Sequence, residues 1–253
     1  MKPLENSKSV IEDTEKSLPK KNNFKTRFLT TVILGPITLA MLLSGDPYST
    51  LLVSIMATAT LVEWTMIAKN HKTWLLSGYI YIAIAIFGLS FFLLNNQLFL
   101  SILLLTSWIS DIGAYLVGSK LKGPKLAPKI SPGKTWSGSL GGLIIGTLLS
   151  MIMFAYFFSH ELISNSINLS FQDHVDITIK YLKSHLGSMT MISGFLIIVA
   201  QAGDLLESWA KRCFNIKDSG NLLPGHGGIL DRIDSLLAIG FVMSFYIFYR
   251  YNF

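Results

Sequence analysis

Trp136-Ser137-Gly138-Ser139-Leu140-Gly141-Gly142-Leu143-Ile144-Ile145-Gly146-Thr147-Leu148-Leu149-Ser150-Met151-Ile152-Met153-Phe154-Ala155-Tyr156-Phe157-Phe158 runs without one charged side chain. At about 1.5 Å per residue, a helix of that length crosses a hydrocarbon core of roughly 30 Å. Six further apolar runs flank it, at 28–43 (broken by Gly35-Pro36), 48–67, 74–94, 98–118, 188–206 and 236–249. The expectation is therefore all-α: a polytopic bundle of seven transmembrane helices, with the first and last near the lower length limit. Composition agrees, with 51% hydrophobic residues and only 14% charged, against roughly 25% charged in an ordinary soluble domain. Residues 1–24 mix both charges with few large apolar side chains and are expected to form a disordered tail. No short apolar region with a cleavage site precedes the first long run, so a removed signal peptide is not expected. The single cysteine, Cys213, excludes an internal disulfide and reads as a filler residue on a helix.

Lysine and arginine placement predicts orientation, because basic short loops stay on the cytoplasmic side. The tail and the residues up to Arg27 carry seven such residues, the loop after the second run holds Lys69 and Lys72, and the loop after the fourth holds Lys120, Lys122, Lys125, Lys129 and Lys134. The connections near Asp46 and Asn95 hold none, and the longer connecting stretch 159–185 sets Lys180 and Lys183 against Glu161, Asp173 and Asp176, so these are expected outside. The alternation also places 207–235 inside, in the compartment that holds nucleotides. The net charge of +6 is thus mostly a topology signal, and with no aromatic-interleaved basic reader a nucleic-acid partner is not expected. Attraction to anionic membrane lipids is.

Against this apolar background, 204–235 holds five acids, four Lys/Arg and one His. Charges of both signs beside membrane spans are costly unless paired or metal-bound, which points to a wet, anion-handling site. On a continuous helix Asp204 shares a face with Glu207, Ser208 and Gln201. Asp231 and Asp234, three apart at the start of the next helix, project together, with Arg232 between them. Carboxylates and hydroxyls without a Cys/His set suit a hard ion such as Mg²⁺ rather than zinc. Lys211, Arg212 and Lys217 supply the cations that phosphoryl and nucleotidyl transfer require. Pro224-Gly225-His226-Gly227-Gly228 lets the backbone approach a ligand closely, with His226 either binding a phosphate or organising the loop.

A second stretch combines Asp111, deep in an apolar run, with Ser131-Pro132-Gly133-Lys134-Thr135. The latter is not a P-loop, because Pro132 removes an amide donor and Pro128 stands where the first glycine belongs. What remains is a turn presenting Lys134 and the Ser131 and Thr135 hydroxyls ahead of a helix, which suits a phosphate group or a lipid headgroup.

The pattern Ser208-x2-Lys211-Arg212-x4-Lys217-Asp218-x-Gly220-x2-Leu223-Pro224-x-His226-Gly227-Gly228-x2-Asp231-Arg232-x-Asp234 resembles the signature of the CDP-diacylglycerol synthases, or phosphatidate cytidylyltransferases. Residues 111–115 and 131–136 resemble that family's second conserved stretch, and the likeness extends from about residue 98 to the C-terminus. It departs at Ala210, where a bulkier apolar residue is usual, and at Ile112, where a smaller or polar one is; neither removes a chemical group. The resemblance implies three regions: a tail (1–24), N-terminal transmembrane helices (25–97) and a catalytic transmembrane region (98–253). It implies transfer of CMP from CTP to phosphatidic acid with release of diphosphate and dependence on Mg²⁺, in a bacterial inner membrane with the site facing the cytoplasm; a homodimer is among the expected assemblies. Under it, Asp204 and Asp231 hold the metal with Ser208, Asp218 and Asp234, while Lys211, Arg212, Lys217, His226 and Arg232 serve the transfer. Asp111, Ser131, Lys134 and Thr135 contact substrate.

Two rivals share parts of this pattern. A CTP-dependent lipid-alcohol kinase would release CDP instead of diphosphate. A transporter would suit the intramembrane acids Asp111 and Glu63 and the broken helices, but the charges lie in two loops on one face and no internal repeat is present. The Asp-Gly-x2-Ala-Arg pattern of CDP-alcohol phosphotransferases is absent.

Overall fold

The computed structural model describes residues 23–163, 170–223 and 227–252. These form eight helices and one hairpin: α1 (Asn23–Leu43), α2 (Tyr48–Ala68), α3 (Lys72–Asn95), α4 (Gln97–Leu121), β1 (Lys125–Ala127), β2 (Ser131–Thr135), α5 (Trp136–Ile163), α6 (Phe171–Ser184), α7 (Leu186–Cys213) and α8 (Leu230–Asn252). The protein is a helical membrane bundle. Six helices, α2 to α5, α7 and α8, are long and apolar enough to cross a bilayer. The count corrects the expected seven: the apolar part of α1 among the described residues, Val32–Leu43, is shorter than a span. The expected tail, 1–22 above all, lies outside the described residues.

Large apolar side chains face outward along the spans, among them Leu76, Phe87, Leu94, Ile144, Met191 and Ile198, all more than half exposed. Such a surface is stable against lipid, not water. Since lipid tails are as apolar as leucine, helix association relies on close packing of small residues. On α4 and α5, a side chain at Gly138 would meet the Ala114 carbonyl and one at Gly142 the Ser110 carbonyl, both at 2.8 Å. On α3 and α8, Gly88 and Gly240 face each other, and a side chain at Gly240 would meet the Ala85 carbonyl at 2.6 Å. The Ser244 hydroxyl adds a donor to the Ile84 carbonyl (2.6 Å).

Two features depart from the reading of the sequence. The stretch 159–185, expected to be a loop, contains the amphipathic helix α6, started by a capping box between Ser170 and Asp173; its polar face masks the signal in an apolarity scan. The segment 131–135, expected to be a turn, is a β-strand paired antiparallel with β1 in the register Lys125↔Thr135 and Ala127↔Ser131. Pro132 tolerates this because a two-stranded hairpin leaves one edge of each strand free. The Thr135 hydroxyl then accepts from the Gly138 N–H (3.1 Å), capping α5.

The helix ends sort into two groups. At one end lie β1–β2, the segment between α7 and α8, and a cluster of Trp64, His71, Trp74, Trp209 and Phe214, whose ring centroids stand 5.3–6.2 Å apart. At the other, Gln97 donates to Ser49 (3.3 Å) and Asn96 to Glu161 (3.4 Å).

Candidate active site

Helix α7 continues to Cys213, about two turns beyond the expected end of its apolar run, so Asp204, Glu207, Ser208, Lys211 and Arg212 all stand on one rod. The hairpin delivers Lys134 against it: Nζ lies 2.5 Å from Asp204 Oδ2, with both side chains about a quarter exposed. The Ser208 hydroxyl reaches back to Asp204 Oδ1 (3.5 Å). One turn earlier, Gln201 accepts from Ser139 (2.5 Å) and donates to Ser110 Oγ (3.4 Å) and the Ser139 carbonyl (3.1 Å). This amide locks α4, α5 and α7 together beneath the charged groups.

Asp231, in the first turn of α8, is held on both oxygens. Oδ1 pairs with Lys211; Oδ2 accepts the backbone N–H of Ser219 (2.8 Å) and of Gly228 (2.9 Å). Gly227 has φ +82°, and a side chain there would lie 2.5 Å from Asp231 Oδ2, so this turn requires glycine. Lys211 also lies 2.6 Å from Glu207 Oε2. Glu207 thus pairs with Lys211, one turn further along the helix face it shares with Asp204.

A cavity of about 620 Å³ unites the two charged stretches. Asp111, Thr135, Lys134, Gln201, Asp204, Lys211, Asp218, Asp231, Arg232 and Asp234 all line it. A second, apolar cavity of about 240 Å³ lies between α2, α3, α7 and α8, bounded by Trp64, Trp74, Tyr81 and Trp209; Lys211 and Asp234 line both. Ala210 lines the second, so its small side chain leaves room there.

Other expected residues stand elsewhere. Ser131 and Ser208 are half-buried but outside the cavity lining, and Lys217 is exposed. The Arg212 guanidinium donates to the carbonyls of Ile130 (3.1 Å) and Ile216 (2.8 Å), tying the hairpin to the segment after α7. His226 lies outside the described residues. One organising acid entered the sequence reading only through the transporter rival: Glu63 of α2, 5% exposed, accepts from the Ser219 hydroxyl (2.8 Å) and from the N–H groups of Ile229 (2.8 Å) and Leu230 (2.9 Å). An acid inside an apolar run was the available signal.

The donor chemistry of the polar cavity, carboxylates with neither Cys nor His among the lining residues, fits a hard divalent ion. Among the described residues no three His, Cys, Asp or Glu side chains form a ready cage. Mg²⁺ needs none, since one or two carboxylates, waters and substrate phosphates suffice.

Comparison with known proteins matches residues 69–250 to the profile described as Cytidylyltransferase family. The chain is similar to the phosphatidate cytidylyltransferase of Rickettsia bellii (35% identical over 245 residues, 93% of this chain and 97% of the relative). It is also similar to those of Brucella suis biovar 1 (31% over 271 residues, 86% and 90%) and Bacillus subtilis strain 168 (36% over 212 residues, 81% and 69%).

Proposed function

Because the chain belongs to the cytidylyltransferase family, we propose that it is a phosphatidate cytidylyltransferase, converting CTP and phosphatidic acid to CDP-diacylglycerol and diphosphate in phospholipid biosynthesis. The observation that carries this reading is the meeting of Lys134 with Asp204, which brings the two charged stretches to one cavity. A phosphate oxygen of phosphatidic acid attacks the α-phosphorus of CTP. The new O–P bond forms as the bond from the α-phosphorus to the bridging oxygen breaks, and diphosphate leaves with that electron pair. No strong base is needed, since the lipid phosphate is already anionic near neutral pH.

Lys134, Lys211 and Arg232 line the cavity and neutralise charge on the phosphates, while positioning supplies much of the acceleration. Lys134 clamps either the lipid phosphate or the CTP triphosphate, with Thr135 and Asp111 beside it. Asp204 and Asp231 would hold Mg²⁺, with Ser208, Asp218 and Asp234 nearby; bound there, the ion would add charge neutralisation at the transferring phosphoryl group. The apolar cavity, meeting the polar one at Lys211 and Asp234, suits lipid chains entering sideways from the bilayer.

Lys69, Lys72 and the basic residues 120–134 stand at the same helix ends as the cavity, which supports a cytoplasm-facing site in a bacterial inner membrane. The homodimer rests on the resemblance alone and is checked by light scattering in detergent. Purified protein given phosphatidic acid, CTP and Mg²⁺ should yield CDP-diacylglycerol and diphosphate in equal amounts. Formation of CDP in place of diphosphate, or no turnover of CTP, would overturn the proposal.

A further inference from the structure

Glu63 lies outside the matched residues 69–250, and α2 contributes no residue to the polar cavity. Its carboxylate nevertheless reaches across the bundle to the segment that enters α8. Two of its three donors, the N–H groups of Ile229 and Leu230, stand at the start of a helix, where backbone donors have no intrahelical partner and negative charge is favoured. The third is Ser219, whose two polar groups point in different directions: its hydroxyl donates to Glu63 and its N–H to Asp231. Gly228 has the same double role, its N–H donating to Asp231 while the space a side chain would fill is taken by Glu63 and Ser219. Glu63 therefore pins the backbone, and that backbone pins Asp231.

We propose that Glu63 is a positioning residue for nucleotidyl transfer, holding residues 219 and 228–230 so that Asp231 stays paired with Lys211 and faces the cavity. The inference rests on reading that cavity as the transfer site. Glu63→Gln preserves volume but offers one acceptor oxygen where the carboxylate offers two, and its amide N–H₂ confronts N–H donors, leaving part of the segment unpinned.

The test compares Glu63→Gln with wild type in detergent. The expected result is kcat lower by about 10- to 100-fold, as for a displacement near the reacting groups, with KM for phosphatidic acid within about threefold. Faster amide exchange is expected in peptides covering Ser219 and Leu230. Ser219→Ala is expected to add little to Glu63→Gln, because it removes a link already broken. Thr60→Val, buried on the same helix and bonded only within it, reports what simple destabilisation does. Wild-type kcat in folded Glu63→Gln, or a kcat loss no larger than its loss of folded protein, overturns the proposal. If Glu63→Gln does not fold, Glu63→Asp, which keeps two oxygens on a shorter stem, is judged by the same criteria. If wild type makes no CDP-diacylglycerol, the proposed function falls, and unchanged exchange in Glu63→Gln would then overturn the pinning by itself.

Discussion

Lys134, on a two-stranded hairpin, and Asp204, on a membrane-spanning helix, meet at 2.5 Å on the wall of one cavity. Two segments distant in sequence thus present opposite charges to a single space, and the chemistry assigned to that space can be tested side chain by side chain.

Asp231→Asn removes a charge that faces Lys211 while keeping the side chain's size. Formation of CDP-diacylglycerol from labelled CTP should fall by on the order of 100-fold or more, the scale seen when one preorganised electrostatic group is lost. Turnover at the wild-type rate would remove Asp231 from the metal-holding set.

Lys134→Met keeps the stem and deletes the ammonium that pairs with Asp204. A loss of about 100-fold in kcat/KM is expected. Titrating each substrate separately shows which phosphate Lys134 holds: a raised KM for CTP alone assigns it to the triphosphate, and one for phosphatidic acid alone to the lipid.

Arg212 and Lys217, successive basic positions in the signature pattern, should differ in stability and not in catalysis. Arg212→Lys loses the fork that reaches both the Ile130 and Ile216 carbonyls, and a drop of about 1–2 kcal/mol in stability is expected, read as a lower Tm with KM for CTP little changed. Lys217→Ala, at an exposed position outside the cavity lining, should leave kcat/KM within about threefold. A large CTP-specific KM effect for either would return it to the phosphate-binding set.

Gly240→Ala places a methyl group against the Ala85 carbonyl, where α3 and α8 touch. The expected cost is about 1–3 kcal/mol, visible as a lower thermal midpoint in detergent. An unchanged midpoint would mean that this contact is loose.

Much of the molecule was legible in the sequence, for identifiable reasons. Apolar runs announce spans because lipid admits no unpaired backbone, so 48–67 and 74–94 needed no tertiary information. Asp111, Asp204 and Asp231 stood out because ionised groups are rare in such surroundings. The fate of Arg212 was hidden, since a guanidinium serves a carbonyl as well as a phosphate and only the folded chain shows which lies nearby. The hairpin at 125–135 was hidden too, because its pairing is specified by a partner strand and not by its own pattern. Glu207 illustrates the remaining gap: helical spacing put it on the face of Asp204, but its pairing with Lys211, one turn further on, shows only in the folded chain.

The reach of Glu63 across the bundle also bears on how the protein is made. Its carboxylate enters the membrane with the second helix, yet all three of its donors lie more than 150 residues downstream. Until the last helix emerges and docks, that acid has no partner, and a chain stalled or cut before α8 would carry an uncompensated charge in an early span. Helix α8 therefore completes the early part of the bundle as well as the site.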